Sequence, residues 1–340
     1  MPFYVGSGEH SMNPFEYQQV DEPATAVDAI SRWRGSKFLA GGTNLIDLMK
    51  NTVEQPPKLI DINHIPLRGI EQTPDGGVKL GALARNSDTA NHPLIRKNYP
   101  LLSQAILSGA SPQLRNMATN GGNLLQRTRC PYFMDPAFSR CNKRTPGSGC
   151  SALEGFHENH AILGASDQCI ATHPSDMCVA LAALEAKVRV RGPKGERIIA
   201  IGDFHRLPGT TPQIDTTLMP DELIVSIDLP PSPYGSHSHY LKIRERTSYA
   251  FALVSVAAAI DVDSGWIRGA RLALGGVAHK PWRVEAAEAA LAGQKLSISL
   301  FEQAASRALS GARPRRDNTY KVEMAKRAII RALTIAGGLA

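Results

Sequence analysis

Four cysteines in the middle of the chain have the residue type and the number for a metal centre. Ten, eight and eighteen residues separate Cys130, Cys141, Cys150 and Cys169. They lie in or at the edge of residues 127–167, where regular hydrophobic periodicity disappears. A structureless stretch of this length inside a compact domain needs something other than an apolar core to organise it. Four thiolates suit a cubane iron–sulfur cluster or a structural zinc ion.

Zinc and disulfides are the alternatives to an iron–sulfur cluster. Zinc sites typically contain two cysteines two to four residues apart, and this spacing does not occur here. Disulfides require maturation outside the cytoplasm and add little to a large, well-cored chain. Spacing alone favours the cluster and leaves both alternatives open. The fifth cysteine, Cys178, lies in the apolar run Met177–Leu184 and is expected to be a small core residue.

The charges around the cysteines also favour the cluster. Asp135 is the only acidic residue between Arg127 and Cys150. The same loop contains five cations: Arg127, Arg129, Arg140, Lys143 and Arg144. Cations stabilise the net negative charge of a thiolate-ligated cluster. A basic loop that docks on a partner protein is compatible with the same pattern.

Two glycine turns are candidates for binding a phosphate-bearing cofactor. Gly41-Gly42-Thr43 separates a strand-like segment from a helix-like one, and Gly121-Gly122 lies in the small, amide-rich segment 116–124. Glycines at such turns let the backbone approach a ligand closely, and N–H groups at a helix start attract phosphate. Each turn alone is more simply a tight turn. Together they could hold the two ends of a long cofactor. Asp176 could accept hydrogen bonds from hydroxyl groups of the ligand, or it could be a carboxylate that stabilises the N-terminus of its own helix.

Histidines and hydrolytic residues give weaker signals. Isolated loop histidines are more often surface residues than ligands, so His157, His160 and His173 are assigned no metal role. The sequence contains no Ser-His-Asp order or paired carboxylates that indicate a hydrolytic centre.

The periodicity predicts an α+β protein in two parts. The first is predicted to contain strands 37–40, 58–62, 78–80 and 223–229, helices 101–107 and 177–184, and a hairpin from 187 to 200. The Pro230–Pro233 segment is interpreted as the domain boundary. Beyond it, strands are expected at 239–244, 252–262 and 268–277, and helices at 282–291, 300–309 and 319–336.

Composition is that of a globular protein. The chain has 340 residues, enough for two or three domains, with 43% hydrophobic and 20% charged residues. A net charge of +7 invites a nucleic-acid interpretation, but the basic residues are dispersed and no nucleic-acid motif occurs. The first twenty residues lack a basic region followed by an apolar run, and no stretch approaches the roughly 18 apolar residues of a membrane helix. We therefore expect no membrane insertion and no export signal on this chain.

Several segments together resemble the FAD-binding medium subunits and domains of the xanthine dehydrogenase and aldehyde oxidoreductase family. These segments are Lys37-Phe-Leu-Ala-Gly-Gly-Thr-Asn-Leu45, Ala118-Thr-Asn-Gly-Gly-Asn-Leu124, His173-Pro-Ser-Asp-Met177, Asp221-Glu-Leu-Ile-Val-Ser-Ile227, Tyr240-Leu-Lys-Ile-Arg-Glu-Arg246 and the helix after Asp317. The resemblance spans nearly the whole chain. It implies an FAD-binding domain of the PCMH type, with a small βαβ subdomain and a larger mixed sheet, at residues 1–230. It also implies a C-terminal α+β domain with a three-stranded sheet and helices at residues 235–340.

The resemblance also assigns residues to FAD. The pyrophosphate loop would comprise Phe38, Leu39, Ala40, Gly41, Gly42, Thr43, Asn44 and Leu45. The second FAD loop would be lined by Ala110, Thr119, Gly121, Gly122 and Asn123. Asp176 would bind the ribityl chain, with Ile224 and Lys242 near the ring system.

The cysteine-rich insertion, residues 127–169, resembles the [4Fe-4S]-bearing insertion of one subset of this family. Its metal ligands would be Cys130, Cys141, Cys150 and Cys169. Most family members run almost directly from the second glycine loop to the Pro-Ser-Asp segment. The subset includes flavin subunits of three-subunit aldehyde oxidoreductases and of 4-hydroxybenzoyl-CoA reductases.

The family resemblance implies an electron-transfer subunit without catalytic residues of its own. Its partners would be a molybdopterin-binding large subunit and a [2Fe-2S] small subunit of a heterotrimer, and its FAD would pass electrons to an external acceptor. Aldehydes are the expected substrate class. The expected location is the periplasm, reached by co-export with a signal-bearing partner, and the alternative is the cytoplasm. A stand-alone flavin oxidoreductase and a zinc-braced scaffold without redox function are the competing hypotheses.

Overall fold

A computed structural model describes residues 12–340 of the chain. Within this range there are twelve strands: β1 (Glu16–Gln19), β2 (Lys37–Leu39), β3 (Lys58–Asp61), β4 (Ile70–Gln72), β5 (Val78–Gly81), β6 (Lys187–Gly192), β7 (Gly195–Ala200), β8 (Leu223–Leu229), β9 (Ser238–Ile243), β10 (Val254–Asp263), β11 (Trp266–Gly275) and β12 (Trp282–Arg283). The same range contains thirteen α-helices: α1 (Pro23–Arg32), α2 (Leu45–Lys50), α3 (Asn86–Asn91), α4 (Pro93–Asn98), α5 (Pro100–Ser108), α6 (Pro112–Arg115), α7 (Asn120–Leu124), α8 (Pro131–Met134), α9 (Asp176–Ala183), α10 (Ile201–Phe204), α11 (Glu285–Leu291), α12 (Ile298–Ala308) and α13 (Tyr320–Ala336). The α+β class predicted from the periodicity is confirmed.

The first sheet is small and parallel, with strand order β1-β3-β2. The central strand β3 is buried along its whole length, which agrees with its continuous apolar run. Helix α2 connects β2 to β3 and lets the chain return in the same direction, as the strand–turn–helix–strand pattern predicts. The glycine turn therefore lies at the carboxyl end of β2.

The second sheet has five strands in the order β4-β5-β8-β6-β7. The resemblance implied that this sheet is mixed, with parallel and antiparallel strands. That prediction is wrong, because every strand pairing in the sheet is antiparallel. Strand β8 runs opposite to both of its neighbours, and hairpins join the remaining pairs. The predicted hairpin is present, with Gly195 at φ +108° in its turn. Helices α5 and α9 belong to the same apolar core as this sheet, and all eight residues of α9 are buried.

The C-terminal sheet has four strands, β12-β11-β10-β9, where three were predicted. Trp282 and Arg283 were predicted to start a helix, but they pair with Leu274 and Ala273 as an edge strand. The guanidinium of Arg283 donates to Glu288 on the following helix at 2.8 Å. A two-residue strand has too few positions to show a period, so sequence reading extended the helix over it.

Strand β10 joins the two parts of the molecule through its two faces. Val256, Ala258 and Ile260 belong to the core formed with α12 and α13. Ala257 and Ala259 belong to the core that contains α5 and α9. Because successive side chains of a strand point to opposite faces, one strand contributes to both cores. The C-terminal sheet is thus packed directly against the helices that border the candidate site.

No helix within residues 12–340 has both the length and the apolar character needed to cross a bilayer. The N-terminal pattern considered above includes residues 1–11, which lie outside the described range.

Candidate functional site

The two glycine turns lie against each other. Gly42 has φ +71°, a left-handed conformation that glycine adopts without strain. A Cβ atom on Gly41 would overlap the backbone carbonyl of Met117, directly before the second glycine segment. Only a residue without a side chain permits this contact. The structure therefore brings together two loops about eighty positions apart, as the sequence predicted.

The second loop is fixed by local hydrogen bonds. Thr119 caps α7 by accepting a hydrogen bond from the Gly122 backbone N–H at 3.2 Å. The Asn123 amide donates to Asn86 at 2.7 Å. Gly121 packs tightly on Ala82 beside β5. A hydrogen bond within the loop and contacts with Ala82 and Asn86 thus hold it in one conformation.

A buried ion pair forms the third wall. The Lys242 ammonium donates to Asp176 at 2.7 Å, and both side chains are at most 7% exposed. The Tyr240 hydroxyl donates to the other Asp176 oxygen, also at 2.7 Å. Burial, together with the Asp176 carboxylate, raises the pKa of Tyr240 well above its usual value, so it stays a neutral donor. The C-terminal sheet therefore supplies the partners that neutralise and orient Asp176.

These three walls enclose a cleft of about 710 Å³, within the range of cofactor sites. Predicted FAD residues that line it are Thr43, Asn44, Ala110, Gly122, Asn123, Asp176 and Lys242. Ala110 has φ +51°, which turns the chain sharply at the cleft wall. The Asn44 side-chain nitrogen is buried there without a partner in the described range, so the cleft offers an unused donor. The glycine backbone allows a ligand to approach closely, and the Asn44 nitrogen offers it a buried hydrogen-bond donor. Both features fit a polar, phosphate-bearing ligand.

The other predicted FAD residues are not part of the cleft lining. Phe38, Leu39, Ala40, Gly41, Gly42, Leu45, Thr119 and Gly121 belong to the two loops or their flanking elements but do not line the cavity. Ile224 lies in the apolar core on β8, paired with Val190, and does not reach the cleft.

An arginine- and aromatic-rich segment at the cleft was missed. Arg246, Tyr249 and Phe251 line it after β9. Tyr249 is 56% exposed with φ +50°, and Phe251 is 49% exposed. The Arg129 guanidinium lies 5.5 Å from the Phe251 ring centre. The sequence did offer a signal for this segment, because two aromatic residues lie in a polar stretch directly after a predicted strand.

The four predicted metal ligands converge on a second, small cavity. Its lining includes the side chains of Cys130, Cys141, Cys150 and Cys169. Cys141 and Cys150 face each other in an antiparallel bridge. All five cysteines in the described range are free thiols, so the disulfide alternative is absent from this structure. Cys178 is fully buried on α9 in the main core, as predicted.

The thiol spacing separates the two metal alternatives. In the described range, no three of the four cysteine sulfurs lie within 4.8 Å of one another. A single tetrahedral zinc, with Zn–S bonds of about 2.3 Å, would bring them to roughly 3.8 Å. A cubane distributes its ligands over four irons and needs a wider arrangement. In the described range, the cysteine sulfurs are therefore not arranged as the ligands of one bound zinc ion.

One backbone N–H group, that of Ala171, donates to the Cys169 sulfur at 3.5 Å. Backbone N–H groups near Cys130 (Tyr132 and Phe133) and near Cys150 (Ala152, Leu153 and Ile170) lower the pKa of these two thiols. Burial raises the pKa of Cys130 to about 12 and that of Cys169 to about 11, and these N–H groups oppose the rise. The cavity thus disfavours bare thiolates but supplies the donors that a thiolate-bound centre uses.

The cations of the loop are engaged elsewhere, which corrects the charge argument. Arg127 pairs with Glu54 and Asp215, and Lys143 also pairs with Asp215. The other pairs are Arg129 with Asp47 and Arg140 with Glu154, while Arg144 donates to backbone carbonyls. Their main structural effect is to fold and anchor the loop. Two of them also act on the thiols, because Lys143 lowers the pKa of Cys169, and Glu154 together with Cys150 raises the pKa of Arg140.

Sequence reading also missed two histidine contacts. Ligand atoms of His173, Cys178 and His205 lie within 4.8 Å of one another, one donor short of a tetrahedral zinc set. His160, which was assigned no role, lies 3.1 Å from the Cys130 sulfur through its Nε2 atom. Neither contact has a signal in the sequence, because the partners are brought together only by the fold.

Family comparisons agree with this geometry. Residues 13–232 match the model for the FAD binding domain in molybdopterin dehydrogenase, and residues 239–336 match that for the CO dehydrogenase flavoprotein C-terminal domain. The chain belongs to the FAD-binding medium subunits of the molybdenum hydroxylase family. Proteins of this kind are subunits of oxidoreductase complexes. The prediction that this chain is an oxidoreductase subunit is therefore confirmed.

Individual relatives cover this flavin subunit almost completely. The aldehyde oxidoreductase FAD-binding subunit PaoB of Escherichia coli is 52% identical over 96% of this chain and 99% of its own. The carbon monoxide dehydrogenase medium chain of Hydrogenophaga pseudoflava is 28% identical over 95% of this chain and 96% of its own. A solved carbon monoxide dehydrogenase from the same organism superposes with a TM-score of 0.76 over 96% of this chain and 99% of that chain, at 28% identity.

Proposed function

We propose that this flavin subunit transfers electrons in a heterotrimeric molybdenum hydroxylase that oxidises aldehydes, and that it holds FAD in the cleft and a [4Fe-4S] cluster in the cysteine cavity. The observation that carries the proposal is the meeting of both glycine loops and the Asp176–Lys242 pair around one cleft. FAD, when bound, supplies the ability to accept electrons singly and release them in pairs.

The residues around the cleft have separate tasks in this proposal. The 38–45 loop and the 119–123 loop would hold the pyrophosphate through close backbone approach and N–H donors. Asp176, held by Lys242 and Tyr240, keeps acceptor capacity for ribityl hydroxyls. Tyr249 and Phe251 offer apolar surface at the mouth. Ile224 is left out of the proposed set because its side chain lies in the core.

The cluster proposal rests on the cysteine geometry. Four thiols converge on one cavity, no three of their sulfurs lie within 4.8 Å of one another in the described range, and nearby backbone N–H groups lower the pKa of three of them. Ligation requires thiolates, so assembly of the cluster would release the protons that burial keeps on Cys130 and Cys169.

The assembly around this subunit is also proposed. A molybdopterin-binding large subunit and a [2Fe-2S] small subunit would complete the heterotrimer, and the 52% identical aldehyde oxidoreductase subunit supports aldehydes as substrates. We place the complex in the periplasm by co-export with a signal-bearing partner, with the cytoplasm as the alternative. The ends of the family matches, 232 and 239, support a division into domains 1–230 and 235–340, with the cysteine insertion at 127–169.

Purification of the native complex through a tag on this chain tests the proposal. We expect one FAD and four irons per chain beyond those of the small subunit, molybdenum in the large subunit, and aldehyde oxidation with an artificial acceptor. Zinc in place of the extra iron would refute the cluster. A flavin-free complex would refute the cleft assignment, and activity only toward other substrates would refute the aldehyde assignment.

A further inference from the structure

Cys130 lies in the wall between the two cavities. It lines the cysteine cavity and also the cleft, together with its neighbours Arg129 and Pro131. His160 lines the cleft at the same place. Any change in charge on the Cys130 sulfur is therefore felt on both sides of this wall.

The His160 ring has one hydrogen-bonding partner in the described range. Its Nε2 atom lies 3.1 Å from the Cys130 sulfur, and the residue is only 4% exposed. Its Nδ1 atom is buried without a partner among residues 12–340. A proton on Nδ1 would be a buried donor without an acceptor, which is costly. A ligand thiolate can only accept a hydrogen bond, so the contact with Cys130 assigns the ring proton to Nε2, from which it donates to the sulfur.

The start of α13, the turn before it and His157 hold this histidine in position. The backbone carbonyl of His160 accepts hydrogen bonds from the Lys321 ammonium at 3.0 Å and from the Asn318 amide at 3.2 Å. Its own N–H donates to the His157 carbonyl at 3.1 Å. Three hydrogen bonds to the backbone of one residue fix the direction of its side chain.

We propose that His160 is a positioning residue that hydrogen-bonds the ligand sulfur of Cys130 and raises the reduction potential of the [4Fe-4S] cluster. The proposal rests on the proposed function, because it requires the cluster. A hydrogen bond withdraws negative charge from the ligand sulfur, and the reduced cluster, which carries one more negative charge, gains more from it than the oxidised cluster. None of the other three cysteine ligands has a histidine contact of this kind in the described range.

His157 supplies a matched control. It is as buried as His160, at 3% exposure, but its ring bonds the Ala152 carbonyl and the Asp317 backbone N–H instead of a cysteine. Loss of either imidazole removes a buried ring from the same loop. Only loss of His160 removes a donor to a ligand sulfur.

The test is a redox titration of the extra cluster, followed by electron paramagnetic resonance, in the purified complex. At the wild-type midpoint, His160→Leu should lower the ratio of reduced to oxidised cluster about tenfold, equal to 59 mV for one electron. His160→Gln, which keeps an N–H donor, should recover most of the shift, and His157→Leu should leave the potential unchanged. Iron content should stay at the wild-type level in all three. An unchanged potential in His160→Leu with full iron overturns this inference alone, whereas a wild type without extra iron overturns the cluster proposal as well.

Isotope labelling keeps the inference testable if His160→Leu loses the cluster. Wild-type complex labelled with ¹⁵N-histidine should show a weak nitrogen coupling to the reduced cluster, and that coupling should be absent from unlabelled protein and from labelled His160→Gln. No coupling in the labelled wild type overturns the inference. A strong coupling, typical of an iron-bound nitrogen, also overturns it, because His160 would then be a ligand.

Discussion

The cleft and the cysteine segment are neighbours, but different forces organise them. The cleft is bordered by regular elements that share one large apolar core, which includes β5, β8, α5, α9 and part of β10. The cysteine segment, 127–169, contains one four-residue helix and one 3₁₀ turn, and it contributes to two small apolar clusters that each include cysteines. Near its end, Ile162 and Leu163 pack into the core of the C-terminal sheet. The comparison indicates that a large shared core shapes the cleft, whereas ion pairs and small apolar clusters hold most of the cysteine segment.

The Asp215 carboxylate is the main anchor of the cysteine segment. It pairs with Lys143 and Arg127, which are three-quarters or more buried. Burial raises the pKa of Asp215, but these two cations outweigh it and hold the pKa well below the usual range. Ion pairs thus hold this segment in place, whereas apolar side-chain packing holds the elements around the cleft.

Removal of one cysteine ligand should have the largest effect. We expect an alanine substitution at Cys130, Cys141, Cys150 or Cys169 to abolish the extra iron. The 127–169 segment should also become sensitive to protease, because little apolar packing remains to hold it. Iron analysis and limited proteolysis of the complex measure both. Cys178→Ala is the control and should keep its iron. Full iron in all four ligand variants would contradict the assignment.

A methyl group at the loop contact should empty the cleft without affecting the cysteine segment. Gly41→Ala places a Cβ atom against the Met117 carbonyl, so the two loops must separate. We expect flavin affinity to fall at least tenfold, measured as FAD retained after gel filtration, while iron is unchanged. Gly202→Ala, where a Cβ meets open space, should retain flavin fully. Equal flavin in both variants would show that loop contact is irrelevant to binding.

The buried ion pair tests whether the cleft is stable by itself. Asp176→Asn or Lys242→Met leaves one uncompensated buried charge and should reduce the free energy of unfolding by roughly 3–5 kcal/mol. The double variant Asp176→Leu/Lys242→Met should lose less than the sum of the single losses. Denaturant midpoints of the complex report these changes. Arg32→Met, which breaks the exposed Arg32–Asp28 pair, is the control and should have no measurable effect. Additive losses would argue against direct coupling.

The smallest expected effect concerns Lys321, which connects the two regions. Its ammonium donates to the His160 carbonyl at 3.0 Å and to the Gly276 carbonyl at 2.6 Å, and burial lowers its pKa to about 7 from 10.5. Between these values the unfolded chain binds more protons, so folding stability gains from rising pH. The stability of wild type relative to Lys321→Met should therefore rise from pH 7 to pH 9, by at most about 1.4 kcal/mol per pH unit. A difference independent of pH would mean that Lys321 is charged in the fold.

Much of the local structure could be predicted from sequence. The β2–α2–β3 unit, the β6–β7 hairpin and the long helix α13 follow from hydrophobic periods and turn residues that act over a few positions. The cysteine convergence was also predictable, since an aperiodic segment with four thiols has few other ways to become ordered. The two-residue strand at Trp282 and the antiparallel order of the larger sheet were not, because they depend on pairings between distant segments.

By itself, the sequence determined which backbone segments permit close approach and which segment brings thiols together. Glycine does the first because it has no side chain, and cysteine does the second because its thiol can bind a metal centre. Only the tertiary structure decided that Gly41 touches Met117, that Lys242 of the C-terminal sheet neutralises Asp176, and that the loop cations pair with distant carboxylates. These contacts join residues far apart in sequence, and the packing of β10 between two cores brings the C-terminal partners into place.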